Sequence, residues 1–373
     1  MKYKRALVTG GAGFIGSFLV DKLIRLGYRV VIYDNLEDQV HGGKKPTYLN
    51  PQAEFIKADV RNYDQLKKSL KNIDIVFHEA AAVGVGQSNY QIKRYTDVNV
   101  GGTANLLDAI VNDKKSTVKK IITTSSMTAY GEGQYLCKTH KIVEPDLRSH
   151  QQMSKKDWKI RCPYCQKAVT PVPTPETAGQ PTNSVYALTK KLQEDMLHLV
   201  GKMYNMPTVS LRCFNVYGPR QSLSNPYTGV TAIFISRIKN GKRPVIYEDG
   251  EQTRDFISVH DVVKALIAAT NSSKADYQVF NIASGSPTSI KQIAQTLAKL
   301  MKSKLAPDIS QSPRKNDIRH CFANISKAGK VLKWKPKVTL KQGMKELIDW
   351  SLKQESSDEF DKATKELKDK GII

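Results

Sequence analysis

The 373-residue chain carries 58 Lys and Arg against 35 Asp and Glu, a formal charge of +23, with 40% hydrophobic residues. It is long enough for one large or two modest domains with a buried core. No run reaches the roughly 18 apolar residues of a membrane span, and no cleavage pattern follows "MKYKRALVTGGAGFIG", so a soluble, cytoplasmic protein is expected.

The positive excess favours anionic partners: nucleic acid, acidic membrane surfaces or phosphorylated small molecules. Its lysines are scattered, as in "KKSTVKK" and "LKWKPK", with no aromatic-interleaved basic platform. That pattern is a solvated surface, and neither nucleic acid nor membrane is expected as a partner. Five cysteines, at 137, 162, 165, 213 and 321, are an odd count without an export signal. A disulfide framework is therefore not expected, and close pairs favour a metal.

In chain order, "RALVTG", "RVVIYDN", "EFIKADV", "DIVFHEAA" and "KKIITTSS" are predicted strands, the last ending at Ser125 and Ser126. Helical patterns such as "GSFLVDKLIRLG" and "NVGGTANLLDAIVND" separate them. Strands alternating with helices predict βαβ units, an α/β fold with a doubly wound parallel Rossmann sheet. This domain covers residues 1–134. A polar insertion rich in Pro, Lys and Cys follows over 135–181. Residues 182–216 return to the sheet domain with the helix "SVYALTKKLQEDMLHLVGKMYN" and the strand "TVSLRCFNVYG". Residues 217–350 form a smaller, mainly substrate-binding α/β region, and 351–373 a solvated tail helix.

"TGGAGFIG" follows the first strand and opens the first helix, so Gly10, Gly13 and Gly16 sit in a strand-turn-helix context. Glycine there permits a tight turn, close approach of backbone N–H groups to a pyrophosphate, and close helix packing. Asp34 ends the second strand, where a carboxylate accepts hydrogen bonds from a ribose diol and repels a 2′-phosphate; NAD is favoured over NADP. Asp59, after the third strand, is placed to contact adenine, and Asn35 to assist Asp34. "YALTK" puts Tyr186 and Lys190 on one helical face. A neighbouring ammonium favours the phenolate, which makes the pair a general acid/base. Ser126, at the carboxyl end of the fifth strand, offers a hydroxyl to orient a substrate oxygen.

Together "TGGAGFIG", Asp34, "SSMTAYG", "YALTK", "RCFNVYGPRQ" and "RDFISVHDVV" resemble the extended short-chain dehydrogenase/reductases, in their nucleotide-sugar epimerase/dehydratase branch. The resemblance spans nearly the whole chain. It implies a catalytic set of Ser126, Tyr186 and Lys190 and an NAD held through turnover. Phe14, Ile15, Val60, Ala80, Ala81, Ser125 and Asn99 join the cofactor positions. Asn215, Arg254 and Arg314 would hold the diphosphate of a nucleoside diphosphate sugar, whose sugar would meet Ser126 and Tyr186. Lys315 and Asn316 replace the proline-glycine that usually follows that second arginine. The resemblance also implies a homodimer paired through helices, one of them bearing Tyr186 and Lys190.

The family's 4,6-dehydratases carry Asp and Glu after the active-site hydroxyl; here Met127 and Thr128 stand there, and neither transfers a proton. A 4-epimerase is expected instead: Tyr186 takes the C4 hydroxyl proton while hydride leaves for NAD and returns to the opposite face. A net 4-reductase or dehydrogenase is the sibling alternative, and a non-catalytic NAD- or RNA-binding scaffold the alternative of another class. Ser126 and Tyr186 are 60 positions apart (186 minus 126), more than in ordinary 4-epimerases. The surplus holds Cys137-x2-His140 and Cys162-x2-Cys165, a spacing suited to one closed, structural zinc site. His150 is a second nitrogen candidate, and free thiols or a redox pair are the competing readings. The insertion, with "YGEGQYLC" and "NPYTGVTAIF", also looks like the dTDP-L-rhamnose 4-epimerase-like subgroup, which moves the expected substrate from UDP-glucose toward a dTDP-6-deoxyhexose.

Overall fold

The computed structural model describes residues 3–315 and 317–372. Asn316, whose replacement of the usual glycine was noted above, lies outside the described residues. Strands β1 (Arg5–Thr9), β2 (Arg29–Asp34), β3 (Glu54–Lys57), β4 (Ile75–His78) and β5 (Lys120–Ser126) join Thr208–Cys213 and Gln278–Ile282 in one seven-stranded sheet. Every neighbouring pair is parallel. The spatial order is Gln278–Ile282, Thr208–Cys213, β5, β4, β1, β2, β3. The winding direction therefore reverses between β1 and β4, opening a crevice at the carboxyl ends of these strands.

These segments are strands because their apolar and β-branched residues must be buried on both faces. All of β4 and β5 is buried. Ala6 and Val8 of β1 pack with Leu19, Val20 and Leu23 of the helix Phe14–Arg25 and with Val262 and Leu266 of the helix Val259–Asn271. Leu7, Val31 and Val76 face the other way, onto Leu66, Leu106, Leu107 and Ile110. The substrate-side region has its own core around Phe234, Ile235, Leu297 and Leu347. Region 217–350 is not purely substrate-side, because Gln278–Ile282 and the helix Val259–Asn271 complete the Rossmann sheet.

The insertion folds as a three-stranded antiparallel sheet, Lys141–Val143, Tyr135–Cys137 and Thr170–Pro171, with a short helix at His150–Ser154. Its apolar core is small: Tyr135, Val143 and Ile160, closed by Cys137 and Cys162.

The carboxy-terminal helix Phe360–Asp369 corrects the expectation of a solvated tail. Ala363 and Leu367 are buried, and Arg237 bonds Asp358 and Asp361 at 3.2 and 2.8 Å. Tyr227 donates to Glu366 Oε2 at 2.8 Å. The segment is charged on average, but Phe360, Ala363 and Leu367 recur at helical spacing and form one apolar stripe.

Candidate active site

The loop between β1 and the first helix sits where the crevice opens. Gly10 has φ +66°, and a Cβ there would lie 2.7 Å from the Ala80 nitrogen; one on Gly16 would collide with the Gly10 carbonyl. Side chains are excluded from that cradle, which leaves backbone to line the crevice there. Asp34 is buried behind the loop, accepting from the Ala12 N–H at 3.0 Å and the Leu36 N–H at 2.9 Å. Each carboxylate oxygen retains a further acceptor site. Asn35 does not reach Asp34; it donates to Asp59 Oδ2 at 2.9 Å. Burial works against the Asp59 charge, but hydrogen bonds from Arg61 and Asn35 hold its carboxyl down at about 2.

The helix Val185–Met203 carries Tyr186 and Lys190 to the same opening. Ser184 caps it, accepting from the Ala187 N–H at 3.1 Å. The loop after β4 fixes its first turn, Asn89 Oδ1 accepting from the Val185 N–H and Ser88 Oγ from the Tyr186 N–H at 3.2 and 3.0 Å. Glu194 grips Arg212 of the neighbouring strand, both of its oxygens accepting from the Arg212 Nε at 3.1 and 3.2 Å. Ser126, at the end of β5, lines the same opening as Tyr186; burial pushes the phenol up to about 12, with Ser126 working the other way. Lys190 follows one turn later on the same helix. Its Nζ is turned toward Gln193 Oε1, and burial pushes the ammonium's own pKa down. Thr128 Oγ1 donates to Ser126 Oγ at 3.0 Å, and Met127 is buried beside it.

Asn99, expected at the cofactor side, is fully buried beneath the cleft. It accepts from the Ala82 N–H at 2.7 Å and donates to Thr189 Oγ1 at 3.0 Å, tying the loop after β4 to the catalytic helix.

Several residues at this site were not singled out from the sequence. Gln193 holds Lys190 and donates to Thr103 Oγ1 at 3.0 Å; Thr103 meets His78 Nε2 at 3.0 Å, and the other His78 nitrogen meets Thr9 Oγ1 at 2.8 Å. A buried polar chain thus links the catalytic lysine to β1. Burial and Lys190 push His78 down to about 3, so it stays neutral. Glu79 accepts from Thr124 Oγ1 at 2.7 Å with one oxygen, while the other is buried without a partner. Burial pushes the Glu79 carboxyl up, and the charges of Glu79 and Lys190 each oppose the other's shift. The "HEAA" motif contained Glu79, but nothing in its spacing pointed to Lys190.

A continuous cleft of about 630 Å³ contains the cofactor-side positions Gly10, Gly13, Phe14, Ile15, Gly16, Asp34, Asn35, Asp59, Val60, Ala80, Ala81 and Ser125. It also contains Ser126, Tyr186, Lys190, Asn215, Arg254 and Arg314. Asn215 Oδ1 is buried without a partner. Arg254 is not the free fork expected: it donates to Asp317 Oδ1 at 2.8 Å and to the Ile318, Thr253 and Arg319 carbonyls. It presents fixed positive charge at the cleft wall. Arg314 lies 5.8 Å from the Tyr247 ring. Arg220, from the quoted "YGPRQ", was also missed. It pairs with Asp21 at 2.9 Å, lies 5.0 Å from the Tyr48 ring, and keeps a buried, unpartnered Nη1. Tyr48 in turn donates to the Ala12 carbonyl of the glycine loop at 2.9 Å, which places Arg220 beside that loop.

In the insertion, Cys137, His140, Cys162 and Cys165 converge, their ligand atoms all within 4.8 Å of one another. Cys137 Sγ is 3.7 Å from both Cys165 Sγ and His140 Nδ1, and Cys162 Sγ is 3.4 Å from His140 Nδ1. A tetrahedron with Zn–S bonds of about 2.3 Å has S···S edges of about 3.8 Å, so the donor set has the dimensions of that site. All five cysteines are free thiols, and His150 is not part of the cluster.

No described helix is long and apolar enough to cross a membrane. The profile of the NAD dependent epimerase/dehydratase family matches residues 6–152, and that of GDP-mannose 4,6 dehydratase residues 167–347. A dTDP-L-rhamnose 4-epimerase of Burkholderia thailandensis is 37% identical over 93% of this chain and 94% of its own length. A putative UDP-glucose 4-epimerase of Methanocaldococcus jannaschii is 34% identical over 92% of this chain and 97% of its own. The crystal structure of a Thermotoga maritima UDP-glucose 4-epimerase with UDP-glucose superposes with a TM-score of 0.77 at 33% identity, covering 94% of this chain and 99% of that one. The glycine cradle, the Ser126–Tyr186–Lys190 convergence and these full-length similarities establish that the chain belongs to the NAD-dependent nucleotide-sugar epimerase/dehydratase family of extended short-chain dehydrogenase/reductases, as an isomerase.

Proposed function

We infer that this protein is a 4-epimerase acting through a 4-keto sugar, on a dTDP-6-deoxyhexose such as dTDP-L-rhamnose or on a UDP-hexose. The observation that carries the reading is the meeting of Ser126, Tyr186 and Lys190 with the glycine cradle in one cleft. The cradle and Asp34 fit a dinucleotide: the first admits only backbone to the pyrophosphate, and the second accepts from a ribose diol. When bound, NAD supplies the acceptor for the C4 hydrogen and, while oxidised, a positive charge that favours the Tyr186 phenolate. Tyr186 takes the proton from the C4 hydroxyl and returns it, and Ser126 donates to the oxygen as charge develops there. Lys190 swings from Gln193 to support that charge. Met127 and Thr128 follow Ser126 where the dehydratases carry the Asp and Glu that eliminate water, which supports epimerisation over dehydration.

Asn215, Arg254 and Arg314 line the diphosphate side, and Arg220 the cofactor pyrophosphate. The dTDP-L-rhamnose preference is supported by the 37% identical relative. The Cys137, His140, Cys162 and Cys165 cluster is read as a structural zinc site, since four protein ligands leave no open position. A homodimer is supported by exposed Leu188, Leu192, Leu199 and Met203, which share one face of the helix Val185–Met203. A cytoplasmic location agrees with this chemistry.

The testing experiment is Tyr186→Phe. Turnover is expected to fall by at least about a hundredfold while binding of NAD and sugar nucleotide persists. Unchanged turnover would remove Tyr186 from the chemistry.

A further inference from the structure

The tail helix does more than pack on the body. Phe360, Ala363, Thr364 and Leu367, with Ile372 just beyond the helix, line the cleft. The helix is held from both sides. Arg237 and Lys242 bind Asp361, Glu366 accepts from Tyr227, and Lys315 donates to the Gly371 carbonyl at 2.8 Å. Leu367 reaches across to the loop after β4: a Cβ on Gly86 would stand 3.3 Å from it and 3.7 Å from Arg314 Nη2, so Leu367 and Arg314 both approach that loop. That loop also anchors the first turn of the catalytic helix through Ser88 and Asn89, and Tyr90 within it meets Tyr227 at 2.8 Å.

We propose that the carboxy-terminal helix is the specificity-determining wall of the sugar pocket, with Leu367 selecting a neutral or 6-deoxy hexose over a uronate. This rests on the sugar-nucleotide reading above. An apolar wall stabilises a C–H edge or methyl group and penalises a carboxylate stripped of water without a partner. The tail residues that line the cleft include no cation, and in this reading Arg314 is taken up by the diphosphate.

The test is calorimetric binding of UDP-glucose and UDP-glucuronate to the NAD-loaded full chain and to Leu367→Ala, with KM and kcat measured wherever turnover occurs. The wild type is expected to bind UDP-glucose at least about tenfold more tightly than UDP-glucuronate. Leu367→Ala should weaken UDP-glucose binding about tenfold, narrow that ratio, and leave NAD content within about twofold. Glu366→Gln, which loosens the latch without touching the pocket surface, should shift the ratio in the same direction by less. A lowered thermal midpoint with an unchanged ratio in both variants would reduce the tail to a structural strap and overturn the proposal. Binding with the expected ratio but no turnover of these compounds or of dTDP-L-rhamnose would overturn only the epimerase reading, and a wild type binding none of the three would overturn both.

Discussion

The sheet domain and the insertion at 135–181 are held together by different means. The sheet domain buries two extensive apolar clusters, one on each face of seven parallel strands, and sets its reactive groups at strand ends and on a long helix. The insertion has a core of a few residues, and two of these are cysteines facing a shared point. Apolar burial of that size cannot offset the ordering of so many polar residues. The catalytic geometry is thus carried by the sheet, while the insertion needs a cross-link of another kind.

Breaking each region should therefore produce distinct failures. Tyr186→Phe, on the sheet side, removes activity without unfolding anything. Cys162→Ser, on the insertion side, should abolish metal retention; protein purified without chelator is expected to carry near one zinc per chain, and the variant none. Its thermal transition should lose a separate low-temperature component while NAD content persists. Zinc-free wild-type protein with the same melting profile would dissolve the contrast.

Asp34→Ala should weaken NAD by about tenfold or more, the loss of charge-assisted hydrogen bonds to a ribose; equal affinity by fluorescence titration would place the ribose elsewhere. Leu199→Glu, on the exposed face of the catalytic helix, should shift light-scattering mass from dimer toward monomer, and a wild type already monomeric would refute the helix pairing. The smallest effect is on pH dependence. Lys190 must be protonated to support the phenolate, and burial lowers its pKa. Activity should thus decline on the alkaline side well below the ordinary lysine value of about 10.4. The charged and titratable groups that act on Lys190 or feel its charge are Glu79, Cys213, Glu194 and His78. Glu79→Gln removes the carboxylate that favours the ammonium, so the decline should move to lower pH. An unmoved limb would separate Glu79 from Lys190.

Much of the sheet was readable in advance because its signals are local. Apolar runs alternate with helical periods, the glycine turn falls between a strand and a helix, and Tyr186 and Lys190 share a face through spacing alone. The cysteine pairs also announced their convergence by spacing. Contacts made across the fold were not readable. Gln193, Thr103 and His78 form their chain only because helix and sheet are packed together. Arg254 loses its free fork to Asp317 and to carbonyls 64 and 65 positions away. The tail reads as charged until Phe360, Ala363 and Leu367 are seen to face the cleft.

The most direct test of the epimerase assignment is proton NMR of products after incubating the purified protein with dTDP-L-rhamnose and, separately, UDP-glucose, with no reductant added. Conversion of one of them to its C4 epimer is the predicted result. No change until NADH or NADPH is supplied, with one equivalent consumed per product, would contradict it and make the protein a net oxidoreductase.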